Sequence, residues 1–415
     1  GHGRAGVFWH TQGSGKSLSM VFYTAYMIRI LEKASFVVLT DRNDLDDQLY
    51  GQFARASQFL RQNPIQAKSR NHLHDLLDNR KSNGIFFSTM QKFAESEDPL
   101  TDRNDVIVIA DEAHRSQYGL REKMTKDGKI VSGMARLVRK SLPKAAYIGF
   151  TGTPLSQSDK DTQEIFGQYI DVYDMAQSVE DGATKPVYYE NRVINLGLNE
   201  DVLKQIDSKY KELSAHANEM DIEASKKDLS RLEQIIGSDE AIDTLVNDVI
   251  RHYEEGRENL LTGKAMLVAY NREIAIKIYK KILAKRPSWD KKVNVVVTAS
   301  NNDPIEWKEI IGNKPDKEEL AKRFKDDNDP FKIAIVVDMW LTGFDVPSLS
   351  TLYVYKPMKG HNLMQAIARV NRVFKDKEGG LVVDYIGIAS ALKEAMSNYT
   401  QNDKKQLENA DIRDS

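Results

Sequence analysis

The chain has 415 residues, 41% of them hydrophobic and 29% charged, with a formal net charge of −2 and no cysteine. That length exceeds one ordinary core and asks for two or three domains, while the lack of cysteine excludes disulfides and thiolate metal sites and suits a reducing cytoplasm. No stretch approaches the roughly 20 apolar residues of a membrane-spanning helix, no secretory leader opens the chain, and a near-neutral charge can still hide a basic track for nucleic acid.

Over residues 1–195, short β-rich runs alternate with longer helical stretches. The runs are Ala5–Trp9, Phe36–Thr40, Gly84–Thr89, Val106–Asp111 and Tyr147–Gly152. Continuous apolar runs such as FVVLT and VIVIAD predict strands buried on both faces, hence parallel sheet between helix layers. Residues 264–395 carry a second set, at Ala265–Tyr270, Val293–Thr298, Lys332–Val337, Thr351–Tyr355 and Gly380–Tyr385. Between the sets, residues 196–263 are rich in Lys, Glu, Asp and Leu, with Gly237 as an internal break. They read as charged, solvated helices without chemistry of their own. Residues 396–415 form a polar tail. The expected fold class is α/β: two doubly wound parallel-sheet domains with a charged helical linker or insertion. A strand and a glycine-rich loop within the first 17 residues give the chain an abrupt start, so we expect a piece of a longer protein.

Thr11-Gln12-Gly13-Ser14-Gly15-Lys16-Ser17 follows the first strand and precedes the helical run SLSMVFYTAYMIRIL, the strand–loop–helix context a phosphate loop requires. Gly13 and Gly15 let the backbone curl so that N–H groups and a helix N-terminus face phosphates. Lys16 offers a charge to the β and γ phosphates of ATP, and the Ser17 hydroxyl can ligate Mg2+. The usual pattern opens with glycine, and here His10 stands in that place. Asp111-Glu112-Ala113-His114 closes the strand VIVIAD, where carboxylates sit beside a phosphate loop at the carboxyl edge of a parallel sheet. Asp111 can hold Mg2+ through water, and Glu112 is placed to polarise the attacking water as general base. An isolated acidic strand end is usually just solvated. Its pairing with GSGKS makes it half of a nucleotide site.

These residues resemble superfamily-2 helicases of the DEAD/DEAH type over nearly the whole chain. Phe150-Thr151-Gly152-Thr153-Pro154 resembles motif III, and Val337–Pro347 resembles motif V. Gln365–Arg372 resembles motif VI, with Ala368 where the Q-x-x-G-R-x-x-R pattern has glycine. The resemblance implies two RecA-like domains, with motifs I, Ia, Ib, II and III in the first and IV, V and VI in the second, hydrolysing ATP at their shared cleft. It implies nucleotide contacts at Gln12, Gly13, Ser14, Gly15, Lys16, Ser17, Gly343 and Asp345, with Mg2+ on Ser17 and Asp111. Glu112 and Gln365 would serve hydrolysis, and Arg369 and Arg372 would reach the γ-phosphate as forked, always-charged arginine fingers. His114, Thr151 and Thr153 would couple hydrolysis to domain movement. DNA-backbone contact falls by the same correspondence on Thr40, Arg42, Ser88, Thr89 and Thr342 with Gly343, although ordinary loop capping is an equal alternative at each.

Finer strings resemble one branch, the motor region of type I restriction endonuclease R subunits. They are WHTQGSGKSLSM, VVLTDRNDLDDQL, STMQKF at Ser88–Phe93, VEDGATKPVYYE at Val179–Glu190 and TGFDVPSLSTLYVYKPMKGHNLMQAIARVNR. That branch implies translocation along double-stranded DNA without full unwinding, independently of sequence, and methyltransferase and specificity subunits as partners. The PD-(D/E)xK nuclease domain of such subunits is not recognisable in these residues. Two rivals stand beside this reading: a strand-separating DNA or RNA helicase, and a nucleotide-gated assembly module. His72 and His74, two apart on a helix, point away from each other and make poor joint metal ligands. Trp289 and Trp307 read as partly buried anchors rather than base-stacking platforms.

Overall fold

The structure, a computed structural model, describes residues 3–40, 43–79, 83–95, 98–113, 123–124, 130–131, 134–152, 165–193 and 233–399. Arg42, His114 and Thr153 lie outside the described residues, as do 194–195 of the expected first domain, 196–232 of the expected linker and 400–415 of the tail. The chain divides into two units, Gly1–Asp181 and Gly182–Ser415. Among the described residues no helix is long and apolar enough to cross a membrane.

The first unit holds β1 (Arg4–His10), β2 (Ser35–Thr40), β3 (Ile65–Gln66), β4 (Ile85–Thr89), β5 (Val106–Asp111), β6 (Lys123–Met124), β7 (Ile130–Val131), β8 (Ala146–Thr151) and β9 (Tyr169–Tyr173). Seven of them form one sheet in the order β3-β4-β2-β5-β8-β1-β9, every neighbouring pair parallel. β6 and β7 make a separate antiparallel ribbon. Alternate residues of one strand enter different cores. Val37 and Leu39 join Val106, Val108 and Leu73 on one face, whereas Phe36 and Val38 join Ile107, Ile109 and Met20 on the other. That two-sided burial is why these strands read as unbroken apolar runs.

The second unit holds β10 (Val187–Asn191), β11 (Ala265–Ala269), β12 (Val293–Val296), β13 (Ile333–Val336), β14 (Thr351–Tyr355) and β15 (Gly380–Asp384), a parallel sheet in the order β10-β15-β14-β11-β13-β12. All ten expected strands are present, within a residue or two at their ends. β3, β9 and β10 escape the sequence pattern because they are short or lie at sheet edges, with Ile170, Val172 and Tyr188 exposed.

Two boundaries need correction. Residues 187–191, expected in the first domain, pair with β15 and belong to the second sheet. The helix Asp239–Gly256, expected as part of a solvated linker, packs Ile242, Leu245, Val246, Val249, Ile250 and Tyr253 into the second core. Those positions follow the three-and-four spacing of an apolar stripe, which the abundant charges of the segment mask. Ser238 caps the helix by accepting from the Ala241 N–H at 3.2 Å.

The reassigned pieces are joined by a polar network. Asp248, only 5% exposed, accepts from Arg192 Nε at 2.6 Å, from Tyr385 Oη at 2.8 Å and from Arg251 at 2.7 Å. Burial alone would raise the Asp248 carboxyl, but Arg192 and Tyr385 outweigh it and hold the group at about 2. Glu190 is held at about 2, first by His252 and against burial, with Arg192 adding to the effect. Asp384 differs: burial pushes it up, although Tyr189 and the N–H groups of Ile386, Gly387 and Ile388 all donate to it. It serves the backbone after β15.

Because Glu190 and Asp248 have folded values below their ordinary 4.5 and 3.8, their contribution is complete above those values and is lost as pH falls towards about 2. Thermal melts through that window should show the second unit losing stability, with Asp248→Asn flattening the slope. Asp248→Ala should cost about 3–5 kcal/mol at neutral pH, because it strands the half-buried Arg192. A neutral Asp248→Ala variant would refute the network's role.

Candidate functional site

The first unit brings three motifs to one edge. Phe8 pairs with Phe150 and Trp9 with Thr151, while Asp111 pairs with Phe150. The carboxyl ends of β1, β8 and β5 therefore stand level, with β8 in the middle. At about 4.8 Å per strand, Asp111 lies roughly 10 Å from the start of the phosphate loop, a gap that phosphates and a hydrated cation can fill.

The loop is built by local bonds. Thr11 N–H donates to the Tyr173 carbonyl at 2.8 Å, and Ser14 donates to the Thr11 carbonyl from N–H at 3.3 Å and Oγ at 2.6 Å. Gly15 caps the helix Lys16–Ile30 with φ 94°, and Leu18 and Ser19 N–H groups donate back to its carbonyl. A Cβ at Gly15 would meet nothing within 4 Å, so the left-handed φ, rather than crowding, demands glycine. His10, at the departure from the usual pattern, is tied to β9 through Asp171 at 2.6 Å and packs edge-on to Tyr173. Gly152 stands where a Cβ would lie 2.5 Å from Lys16 Nζ and 2.6 Å from Gln12 Cγ. Lys16 and Gln12 thus converge on the start of motif III, next to the buried Thr151.

At the end of β5, Asp111 Oδ1 accepts from the Glu112 N–H at 2.9 Å, and Ala113 N–H donates to the Phe150 carbonyl at 3.1 Å. Glu112 has φ 51°, a left-handed conformation that costs a non-glycine residue roughly 1–3 kcal/mol and is found at functional turns. A Ser17 hydroxyl and an Asp111 carboxylate are hard oxygen donors and fit Mg2+, which keeps waters and shares itself with phosphates. Among the described residues no group of three or more His, Cys, Asp or Glu side chains could form an all-protein metal cage. His72 Nδ1 accepts from Lys68 N–H, and His74 faces Asp78.

The expected DNA-contact positions are also at carboxyl ends, with Thr40 paired to Thr89 across β2 and β4. Their side chains are not presented to solvent. Thr40, Ser88 and Thr89 are all buried, and Ser88 Oγ donates to the Thr89 carbonyl at 3.2 Å. At 0–3% exposure of the whole residue, neither the hydroxyls nor the backbone N–H groups of these three positions are open to a phosphate.

In the second unit, motif V is a loop after β13 without a ladder of its own. Trp340, at φ 66°, stacks on Phe344 with ring centroids 4.1 Å apart, above Phe324 and Phe331. Motif VI supplies the remaining anchors. Arg369 is 8% exposed and donates from Nη1 to the Phe344 carbonyl at 2.5 Å and from Nε to the Gln365 carbonyl at 3.2 Å. Arg372 is half-buried and donates to Asp345 Oδ1 at 2.8 Å, while Gln365 is buried and Thr342 and Gly343 are more open. The two arginines, expected to act alike, differ here: Arg369 braces motif V, and Arg372 is the more exposed guanidinium.

Two features were missed by sequence reasoning. Lys377 is 1% exposed and donates to the Pro347 and Leu349 carbonyls at 3.1 and 2.6 Å. Its surroundings, Lys-Asp-Lys-Glu-Gly-Gly, look like a solvated turn and give no signal. A cavity of about 470 Å3 at the carboxyl ends of β11, β12 and β13 is lined by Tyr270, Arg272, Thr298, Trp307, Asp338 and Lys356. Trp307 therefore lines an opening, whereas Trp289 is 3% exposed and packs edge-on against Tyr253 in the core.

A SWI2/SNF2 ATPase family profile matches residues 1–223. The chain belongs to the SWI2/SNF2 ATPase family. Residues 309–387 match the profile of type I restriction enzyme subunit R domain 3. The chain is 44% identical to the type I restriction enzyme HindI endonuclease subunit of Haemophilus influenzae over 421 residues, 98% of this chain and 39% of that protein. It is 41% identical over 413 residues to a Methanocaldococcus jannaschii protein described as the type I restriction enzyme MjaIXP endonuclease subunit, 97% of this chain and 37% of that one. The chain thus spans well under half the length of these relatives. Among solved structures, a fragment described as an HsdR subunit of a type I restriction enzyme from Vibrio vulnificus YJ016 aligns with TM-score 0.59 and 14% identity, over 95% of this chain and 62% of that one. The type ISP restriction-modification enzyme LlaBIII bound to DNA aligns with TM-score 0.57 and 12% identity, over 91% of this chain and 26% of that one. Those likenesses are of fold, and they agree with the two α/β units. The resemblance to type I R subunits is borne out, and membership of an ATPase family supplies ATP as the nucleotide.

Gly152→Ala tests the convergence. The new methyl would meet the flexible end of Lys16 and the Cγ of the buried Gln12, so both side chains must shift. ATP affinity should fall about tenfold, the loss of one charge-assisted contact, with the melting temperature unchanged. Unaltered affinity would show that Lys16 does not work beside Gly152.

Proposed function

We propose that this SWI2/SNF2-family chain is the motor portion of a type I restriction endonuclease R subunit, translocating along double-stranded DNA by ATP hydrolysis without full strand separation. The observation that carries the reading is the level edge of β1, β8 and β5, where Lys16 and Gln12 converge on Gly152 and Asp111 ends the second strand over. In this reading the N–H groups of residues 13–17 and Lys16 hold the phosphates, and Ser17 and Asp111 hold Mg2+, which neutralises phosphate charge. Glu112 orients and deprotonates the attacking water, with Thr151, Thr153 and His114 relaying the outcome. From the second unit, Arg372 serves as the arginine finger with Gln365, Gly343 and Asp345 beside it, while Arg369 keeps motif V in shape.

The DNA track combines Arg42, Thr342 and Gly343 with the loops that leave the strands at Thr40 and at Ser88–Thr89. Such phosphate contacts carry no sequence information, which suits a motor that must move over any DNA. Recognition then falls to methyltransferase and specificity subunits, and cleavage to a nuclease domain in the longer relatives beyond the matched span. Asp384, a strand-end acid in the sequence, is occupied in folding.

ATPase assays with and without linear duplex DNA test this directly. Duplex should stimulate turnover, with an affinity that falls steeply as salt rises. Lys16→Ala should abolish hydrolysis with the fold retained. Arg372→Ala should lower kcat by about 10³ or more with ATP binding little changed, whereas Arg369→Ala should lower stability as well. Turnover indifferent to DNA would favour a nucleotide-gated assembly module. Separation of duplex strands, in place of triplex displacement, would favour a true helicase.

A further inference from the structure

The segment after motif VI holds a buried lysine that the reading of ATP hydrolysis does not use. Lys377 follows Arg372 on an irregular stretch, and its own N–H donates to the Phe374 carbonyl at 2.9 Å. Its side chain runs into the second unit and ends on a tight turn, Val346-Pro347-Ser348-Leu349, closed by a Leu349 N–H to Val346 carbonyl bond of 3.0 Å. That turn is the exit of motif V. The carbonyls on the turn are otherwise served from outside: Ser348 by Thr262 and Ser350 by Leu381 N–H. Lys377 alone among the described bonds reaches two of them, Pro347 and Leu349. With Arg369 on the Phe344 carbonyl and Arg372 on Asp345, three cations from residues 369–377 fasten residues 344–349.

We propose that Lys377 is a positioning residue of the motor, whose ammonium clamps the exit of motif V to the segment bearing the motif VI arginines and so keeps Asp345 and Arg372 in register during hydrolysis. The inference rests on the motor reading above and extends it.

Among the described residues the clamp has no carboxylate in contact, which is unusual for so buried a cation. Carbonyl dipoles compensate part of the desolvation of an ammonium, and a direct counter-ion would compensate more. Burial, then the neighbouring Arg372, lower the lysine to about 7 from its ordinary 10.5, with Asp345 opposing and Lys185 adding to the effect. On the far side of the turn Lys264 and Asp327 pair with each other, and Asp327 also accepts from Ser348. Lys375, Asp376 and Glu378 flank it in sequence.

Two consequences of opposite sign follow. Between about 7 and 10.5 the unfolded chain binds more protons at this site than the folded one, so the stability contribution of Lys377 rises with pH across that window. Over the start of the same window the ammonium becomes an amine, which retains N–H donors but loses charge assistance, so the clamp weakens. A residue that only stabilised the fold would not separate these two responses.

The test uses the 415-residue chain with linear duplex DNA and ATP. Wild-type kcat should decline as pH rises through about 7 while the contribution of Lys377 to the melting temperature rises. Lys377→Met, which fills the same volume without charge, should fold and lose about tenfold in kcat below that pH, with KM for ATP changed less than about twofold and the alkaline decline gone. Lys377→Arg, charged throughout, should restore turnover and keep it at high pH. A second measurement needs no nucleotide: amide hydrogen exchange over residues 344–350 should quicken in Lys377→Met. If the wild type hydrolyses no ATP, the motor reading fails and the exchange measurement still decides the clamp. Wild-type turnover and pH dependence per folded molecule in Lys377→Met, or unchanged exchange over residues 344–350, would overturn the proposal.

Discussion

A parallel sheet covered by helices on both faces leaves one place for polar chemistry, the edge where the strands end. Everything else in this protein depends on that constraint. In the first unit the apolar runs of β1, β5 and β8 are largely committed to packing, and the phosphate loop, the Asp111–Glu112 pair and the Thr151–Gly152 turn share the carboxyl edge. The same edge in the second unit carries the opening lined by Arg272, Trp307 and Lys356. Core and site are therefore not separate designs. Burial on both faces sets the strand register, and the strand register sets which loops meet.

The two units solve the problem of holding a functional loop differently. The phosphate loop is fixed from within, by its own turn bonds and by the left-handed Gly15 that opens a long helix. Motif V has no such internal ladder. It is fixed from below by the aromatic stack of Phe324, Phe331, Trp340 and Phe344, and from the side by Arg369, Arg372 and Lys377. Side-chain cations on carbonyl oxygens make directional bonds that can be broken one at a time, unlike an apolar core. A loop held in this way can have two arrangements close in energy, which is what a nucleotide-driven switch requires.

The stretch between the two sets of strands belongs to the second unit more closely than its composition suggests. Arg192, at the end of β10, and Asp248, inside the helix Asp239–Gly256, meet in the same polar network with Glu190, His252 and Tyr385. The helix also packs its apolar stripe into the core, and the paired, hydrogen-bonded charges tie it to the end of β10.

The sequence by itself determined the class of fold and all ten expected strands, and it set the Gly-Ser-Gly-Lys-Ser and Asp111–Glu112 motifs at strand ends, because each rests on local rules. A short, β-branched apolar run bounded by polar residues reads as a buried strand, and Gly-Ser-Gly-Lys-Ser between strand and helix reads as a phosphate loop. It also identified the resemblance to type I restriction R subunits, through strings spread from the phosphate loop to motif VI. What it could not assign was anything decided by neighbours distant in the chain. β10 lies next to β15 because a parallel edge was open to it. The charged helix at 239–256 is buried because a core waits for its stripe. Thr40, Ser88 and Thr89 are inward because their strands end below the surface, and Arg369 parted from Arg372 because a carbonyl lay within reach of one and a carboxylate within reach of the other. Lys377 shows the limit most plainly. A lysine in a polar run is solvated by every local rule, and only the tertiary fold closes Pro347 and Leu349 over its ammonium.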